Sequence, residues 1–173
     1  MNTFSAEKIS FIYDHEQDRI DLLFHDDLKQ QMIGILTRAL LKNVIQRIPG
    51  WFTELNQSAQ SNEHKQAIAE LNYASAQQEV HAEKENLEVQ HNTTRFLISS
   101  LNITKPVNSE SLILTFMDRA ERHQVKLSLT EAQFHKIIST MLQTGKNWDL
   151  TAPWDTTDIS AETAAINLSK HLH

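Results

Sequence analysis

Residues Arg19 to Ile48 match Leu112 to Met141 at a constant offset of 93, without a gap. Ile20/Ile113, Gln31/Gln124, Leu36/Leu129, Thr37/Thr130, Ala39/Ala132 and Ile45/Ile138 are identical pairs. Leu23/Phe116, Phe24/Met117, Met32/Val125, Leu41/Phe134, Val44/Ile137 and Ile48/Met141 exchange one apolar side chain for another. A pattern carried twice constrains the fold strongly, because each copy limits what the other can become.

The copies resolve each other's ambiguities. Lys8 to Tyr13 reads as a first strand, and Arg19 to His25 alternates as a half-buried strand does, across the polar turn Asp14 to Asp18. Asp26 to Lys29 reads as the next turn. Gln31 to Leu36 is too short for periodicity alone to decide between strand and helix. Its counterpart Gln124 to Leu129 places Val125, Leu127 and Leu129 on one side, with Lys126 and Ser128 between them, which is a strand pattern. Both segments therefore read as strands. Arg95 to Ile103 and Leu112 to Asp118 supply two more strands, separated by a turn at Pro106 to Ser109.

Each copy then enters a helix behind a threonine, whose hydroxyl can accept from a free backbone amide at the helix start. Gln133 completes a capping box behind Thr130, whereas Leu40 stands at that place behind Thr37. Leu40, Leu41, Val44, Ile45 and Ile48 form one apolar stripe, and Phe134, Ile137, Ile138, Met141 and Leu142 form the other. Pro49-Gly50 and Thr144-Gly145 are the expected stops.

The expected architecture is α+β: two β-β-β-α units forming a mainly antiparallel sheet with helices on one face, plus a polar helical insert. The expected domain covers residues 1–150, with the insert at 51–94 and a C-terminal tail at 151–173. The insert lacks Gly and Pro, and Asn62 to Val89 is built mostly of good helix formers. In the tail, Ser160 to Leu172 could form a short amphipathic helix.

The order Ile12-Tyr13, Asp18-Arg19-Ile20, Leu36-Thr37-Arg38, Glu63-His64 and Trp148-Asp149-Leu150 resembles a group of small uncharacterised bacterial proteins. The resemblance covers most of residues 8–150. It implies the same run of strands and helices, and it transfers no activity and no site residue.

Motifs that carry chemistry are sparse. Zero Cys removes thiolate nucleophiles and Cys-held zinc, and three Gly leave little for a phosphate-cradling loop. Asp14-x-Glu16-x-Asp18 alternates acids as calcium loops do, but Arg19 and His25 stand where such a loop needs glycine and glutamate. The nine His form no i, i+4 pair of the helical zinc type. Ser5-x-x-Lys8 matches a short acyl-transfer pattern without its companion motifs. No catalytic, cofactor-binding or metal-binding residue is assigned, and no cofactor is implied.

A net charge of −6 and the lack of a Lys/Arg cluster weigh against nucleic acid as partner. No segment approaches the roughly 20 apolar residues of a membrane span. The N-terminus has no basic start followed by an apolar run, so the expected location is cytoplasmic. Trp148 and Trp154 lie in a polar stretch and are the expected partner-binding residues, since Trp is enriched at interface hot spots. The expected role is a non-catalytic protein-interaction or assembly protein, acting on a protein partner or a second copy. The alternative is a small-ligand or nucleic-acid binding module that uses the open sheet face.

Overall fold

The computed structural model describes residues 2–55, 89–107 and 109–152. The chain runs β1 (Asn2–Ala6), β2 (Lys8–Asp14), β3 (Arg19–His25), β4 (Gln31–Thr37), α1 (Arg38–Leu55), β5 (Thr94–Leu97), β6 (Ser100–Thr104), β7 (Leu112–Met117), β8 (His123–Leu129) and α2 (Glu131–Thr144). A short 3-10 turn, Lys146–Trp148, follows. The fold is α+β. The expected insert lies mostly outside the described residues, as do Trp154 and the expected helix at 160–172.

Two mixed four-stranded sheets replace the single, mainly antiparallel sheet that the sequence leads one to expect. Their orders are β1-β8-β7-β6 and β2-β3-β4-β5. Three strands of each are antiparallel neighbours, and the fourth joins in parallel: β1 beside β8, and β5 beside β4. The stretch expected as one strand from Arg95 to Ile103 is two. The chain passes between sheets at Ile98-Ser99, where Ile98 N–H donates to the Ile35 carbonyl (3.0 Å) and Ser99 N–H to the Met117 carbonyl (2.8 Å). It makes the corresponding passage between β1 and β2 at Glu7, whose N–H donates to the His25 carbonyl (2.8 Å).

The ladders correct the gapless match by one residue. Phe24 pairs with Met32, and Phe116 pairs with Val125. Met32 and Val125 correspond at offset 93, so Phe24 corresponds to Phe116, Leu22 to Leu114 and Ile20 to Leu112, at offset 92. A slip of one residue turns every side chain of a strand to the opposite face. Burial agrees with the shift: Ile20, Leu22, Phe24, Leu112, Leu114 and Phe116 all lie in the shared core.

The turns show where the extra residue sits. Asp26 Oδ1 accepts from Gln30 N–H (2.7 Å), and Asp118 Oδ1 accepts from Arg122 N–H (2.8 Å). Lys29 and Glu121 hold the equivalent left-handed positions, with φ of 60° and 53°. Both turns therefore match at offset 92 through Arg122, and His123 is the added residue at the start of β8. The rings of Phe24 and Phe116 meet with centroids 5.0 Å apart, at the centre of the core that the sheets share.

Both helices start as their threonines predict. Leu40 N–H donates to Thr37 Oγ1 at 3.3 Å. Thr130 makes the full box: Gln133 N–H donates to its hydroxyl (3.2 Å), and its own N–H donates to Gln133 Oε1 (2.8 Å). Leu41, Val44, Ile45 and Ile48 are buried, as are Phe134, Ile137, Ile138 and Met141. The helices do not share one sheet face as expected. Helix α1 contacts β4 and β6, and α2 contacts β8 and β2, so each reaches from its own sheet to the other.

Pro49-Gly50 does not end α1, which continues to Leu55 with Pro49 inside it. Proline removes one backbone donor, and the remaining bonds carry the helix past it. Gly145 does end α2, its N–H donating to the Met141 carbonyl at 2.9 Å. Its φ of −91° is open to any residue. What needs glycine there is space, because a Cβ would lie 2.8 Å from Trp148 Cε3.

Candidate interaction surface

The acidic turn between β2 and β3 is occupied by internal bonds. Asp14 Oδ1 accepts from the N–H groups of Glu16 (3.0 Å) and Gln17 (3.1 Å), while Arg19 Nε lies 3.4 Å from Asp14 Oδ2. Asp18, in the left-handed region at φ 49°, accepts on one oxygen from the Tyr13 hydroxyl and from Trp148 Nε1, the latter at 2.6 Å. The Tyr13 hydrogen bond, followed by that of Trp148, holds the Asp18 carboxyl below the usual carboxylate range. The same Tyr13–Asp18 bond raises the tyrosine.

Trp148 is therefore spent on the interior. It is 1% exposed, with its indole N–H bonded to Asp18 and its ring edge-on to Tyr13 at 6.0 Å. The sequence places it at a partner surface, and the structure places it in the core. The polar flanks that make the tail read as a surface belong to its neighbours: Asn147 is exposed and Asp149 turns the chain with φ 53°. Trp154, the other expected contact residue, lies outside the described residues.

A second polar cluster surrounds the added residue. His123 Nδ1 lies 3.1 Å from Asp118 Oδ2, and its ring stacks on Phe96 with centroids 5.7 Å apart. Burial pushes the Asp118 carboxyl up, but the hydrogen bonds from His123 and from the His123 and Arg122 amides outweigh it and bring the carboxyl below its ordinary value. On α2, His135 and Ser139 are buried at 0% and 1%, whereas Lys42 and Gln46, at the matching places on α1, are exposed. Among the described residues, no group of three or more His, Asp or Glu is placed to hold a metal ion. Nor is any helix among them long and apolar enough to cross a membrane.

The outer faces of the sheets differ in chemistry. The first sheet presents Thr3, Ser5, Asn102, Thr104, Lys126 and Ser128, all exposed, around a half-buried Ile113 and Met117. The second presents Leu23 and Ile33, buried at 0% and 1%. Beside them a cross-strand row runs Ile12, Asp21, Ile35, Leu97. Ile12 and Ile35 are half-buried, and Leu97 is 57% exposed. Asp21 lies within that row, tied to Arg95 of β5 by a 3.1 Å ion pair.

Among the described residues, β5 is the edge strand of this second sheet. Phe96 points inward and is 5% exposed, so its neighbour Leu97 points out. Val89 and Leu28, 40% and 72% exposed, lie on segments joined at the same edge. Gln90 N–H donates to Gln31 Oε1 (2.8 Å), and Gln90 Nε2 donates to the Lys29 carbonyl (3.3 Å). Of the large exposed apolar side chains among the described residues, only Val107 lies on another loop. The matching edge of the first sheet is β1, whose ladder ends at Ala6; the next residue, the exposed Glu7, bonds to His25 of the other sheet.

No local signal marks this edge: Phe96, Leu97 and Ile98 are consecutive apolar residues, and Arg95 to Ile103 reads as one strand. The chain matches no protein-family model, no curated protein and no solved structure.

Proposed function

We propose that this is a non-catalytic protein-interaction protein that receives an extended segment of a partner polypeptide along β5. The observation that carries the reading is Leu97, 57% exposed on an edge strand and paired with the half-buried Ile35 of β4. An added strand would gain backbone hydrogen bonds from the open edge and place an apolar side chain against Leu97. Leu28 and Val89 extend the apolar border at the near end of the strand. The outer face of the first sheet offers one cation, Lys126, which gives a phosphate backbone little to hold.

The test compares tagged wild-type chain with Leu97→Asp as baits in extract of the native cells. The substitution sits on an exposed side chain, so folding should survive it, and circular dichroism checks that. A protein recovered by the wild type and lost with Leu97→Asp supports the reading. Equal recovery by both baits, or recovery of nothing by either, contradicts it.

A further inference from the structure

The two halves of the chain complete each other. Each sheet takes three strands from one half and its fourth from the other: β1 joins β8-β7-β6, and β5 joins β2-β3-β4. Each helix contacts strands of both halves. Phe24 meets Phe116 in the shared core, Arg95 pairs with Asp21, and Trp148 bonds to Asp18. Apart from each helix's contact with the strand before it, these contacts cross from residues 2–55 to residues 89–152, and the covalent connection between those halves is residues 56–88.

We infer that a second copy of this chain is a competent partner through these same contacts. Residues 2–55 of one copy fold against residues 89–152 of the other, and the reverse, giving a closed dimer by exchange of halves. Every contact that crosses between the halves is then made between chains instead of within one, and no new surface is required. The inference is independent of the β5 reading, since β5 keeps its place beside β4 and its outer edge stays open.

The balance between monomer and exchanged dimer follows from how strongly the connection concentrates one half near its mate. Two modules held in one chain reach effective concentrations on the order of millimolar. Chain concentrations approaching that value during folding therefore favour exchange. Once folded, the two forms interconvert slowly, because both parallel strand pairs and the shared core must open first.

The test refolds an equimolar mixture of ¹³C-labelled and unlabelled full-length chain, at about millimolar and at a thousandfold lower concentration. Light scattering after chromatography sizes the products, and isotope-filtered NOE spectra of any dimer look for contacts between chains. The expected result is monomer from the dilute sample and a dimer from the concentrated one, with interchain contacts between the Phe24 and Phe116 rings. Monomer alone at both concentrations overturns the inference. So does a dimer in which the Phe24–Phe116 contact stays within one chain.

Discussion

The indole N–H of Trp148 donates to the Asp18 carboxylate at 2.6 Å, joining the turn after the last helix to the first hairpin. The Tyr13 hydroxyl donates to the same oxygen, so one carboxylate organises three elements. Trp148 is among the largest fully buried side chains. Trp148→Ala should therefore destabilise by about 3–5 kcal/mol, the range for emptying a large aromatic site. Asp18→Asn keeps the shape and removes the charge, so it should lower the melting temperature by less. Thermal and urea unfolding followed by near-UV circular dichroism give both values.

Acid should act first through Asp18 and Asp118. Both carboxyls titrate below their ordinary value in the folded chain. Such a group stabilises the fold at every pH above its unfolded pKa, about 4. That contribution disappears as pH falls through the lower folded value. Urea midpoints measured from pH 6 down to pH 2 should fall below about pH 4, and Asp18→Asn should flatten that limb. An Asp18→Asn chain with the same slope as wild type would remove Asp18 from the account.

Gly34 stands where its counterpart is Leu127, and the reason is crowding. A Cβ at Gly34 would lie 2.8 Å from Ile98 Cδ1 and 3.0 Å from Phe24 Cε2. Gly34→Ala should cost about 1–3 kcal/mol by overpacking. Ile98→Val removes the closest atom, so the double variant should be more stable than the sum of the two single effects. Strict additivity would show that Ile98 is not what excludes a side chain there.

The two helix caps should differ. Thr130 makes a reciprocal box, while Thr37 makes one longer bond. Thr130→Ala should lose about 1 kcal/mol, and Thr37→Ala less. Denaturant midpoints of the two single variants decide the order.

Much of the local structure was legible because alternation and capping are local properties. β3 begins and ends where Arg19 to His25 does, and Thr130-x-x-Gln133 announces its box without any tertiary context. What stayed hidden is non-local. Asn2–Ala6 is too short to declare itself, and only its pairing with β8 makes it a strand. The break at Ile98-Ser99 has no glycine or proline to mark it. His123 hid within a match that looked gapless because Ile20/Ile113 happened to coincide, although Ile20 faces the core and Ile113 does not.

The same contrast applies to the surface. Trp148 stands in a polar stretch while Leu97 stands between Phe96 and Ile98, and composition favours the tryptophan as the contact residue. Depth reverses that order: Trp148 is 1% exposed and Leu97 is 57% exposed. Depth depends on Asp18, far away in sequence, and on which strand forms the sheet edge, so no local pattern reports it.

Amide hydrogen exchange tests the proposed role of the β5 edge most directly. The full chain would be compared with and without a protein recovered by the wild-type bait and lost with Leu97→Asp. The account predicts slower exchange across Thr94–Leu97 on binding, with no change across Asn2–Ala6, the matching edge of the other sheet. Unchanged exchange at Thr94–Leu97, with protection gained elsewhere, would contradict it.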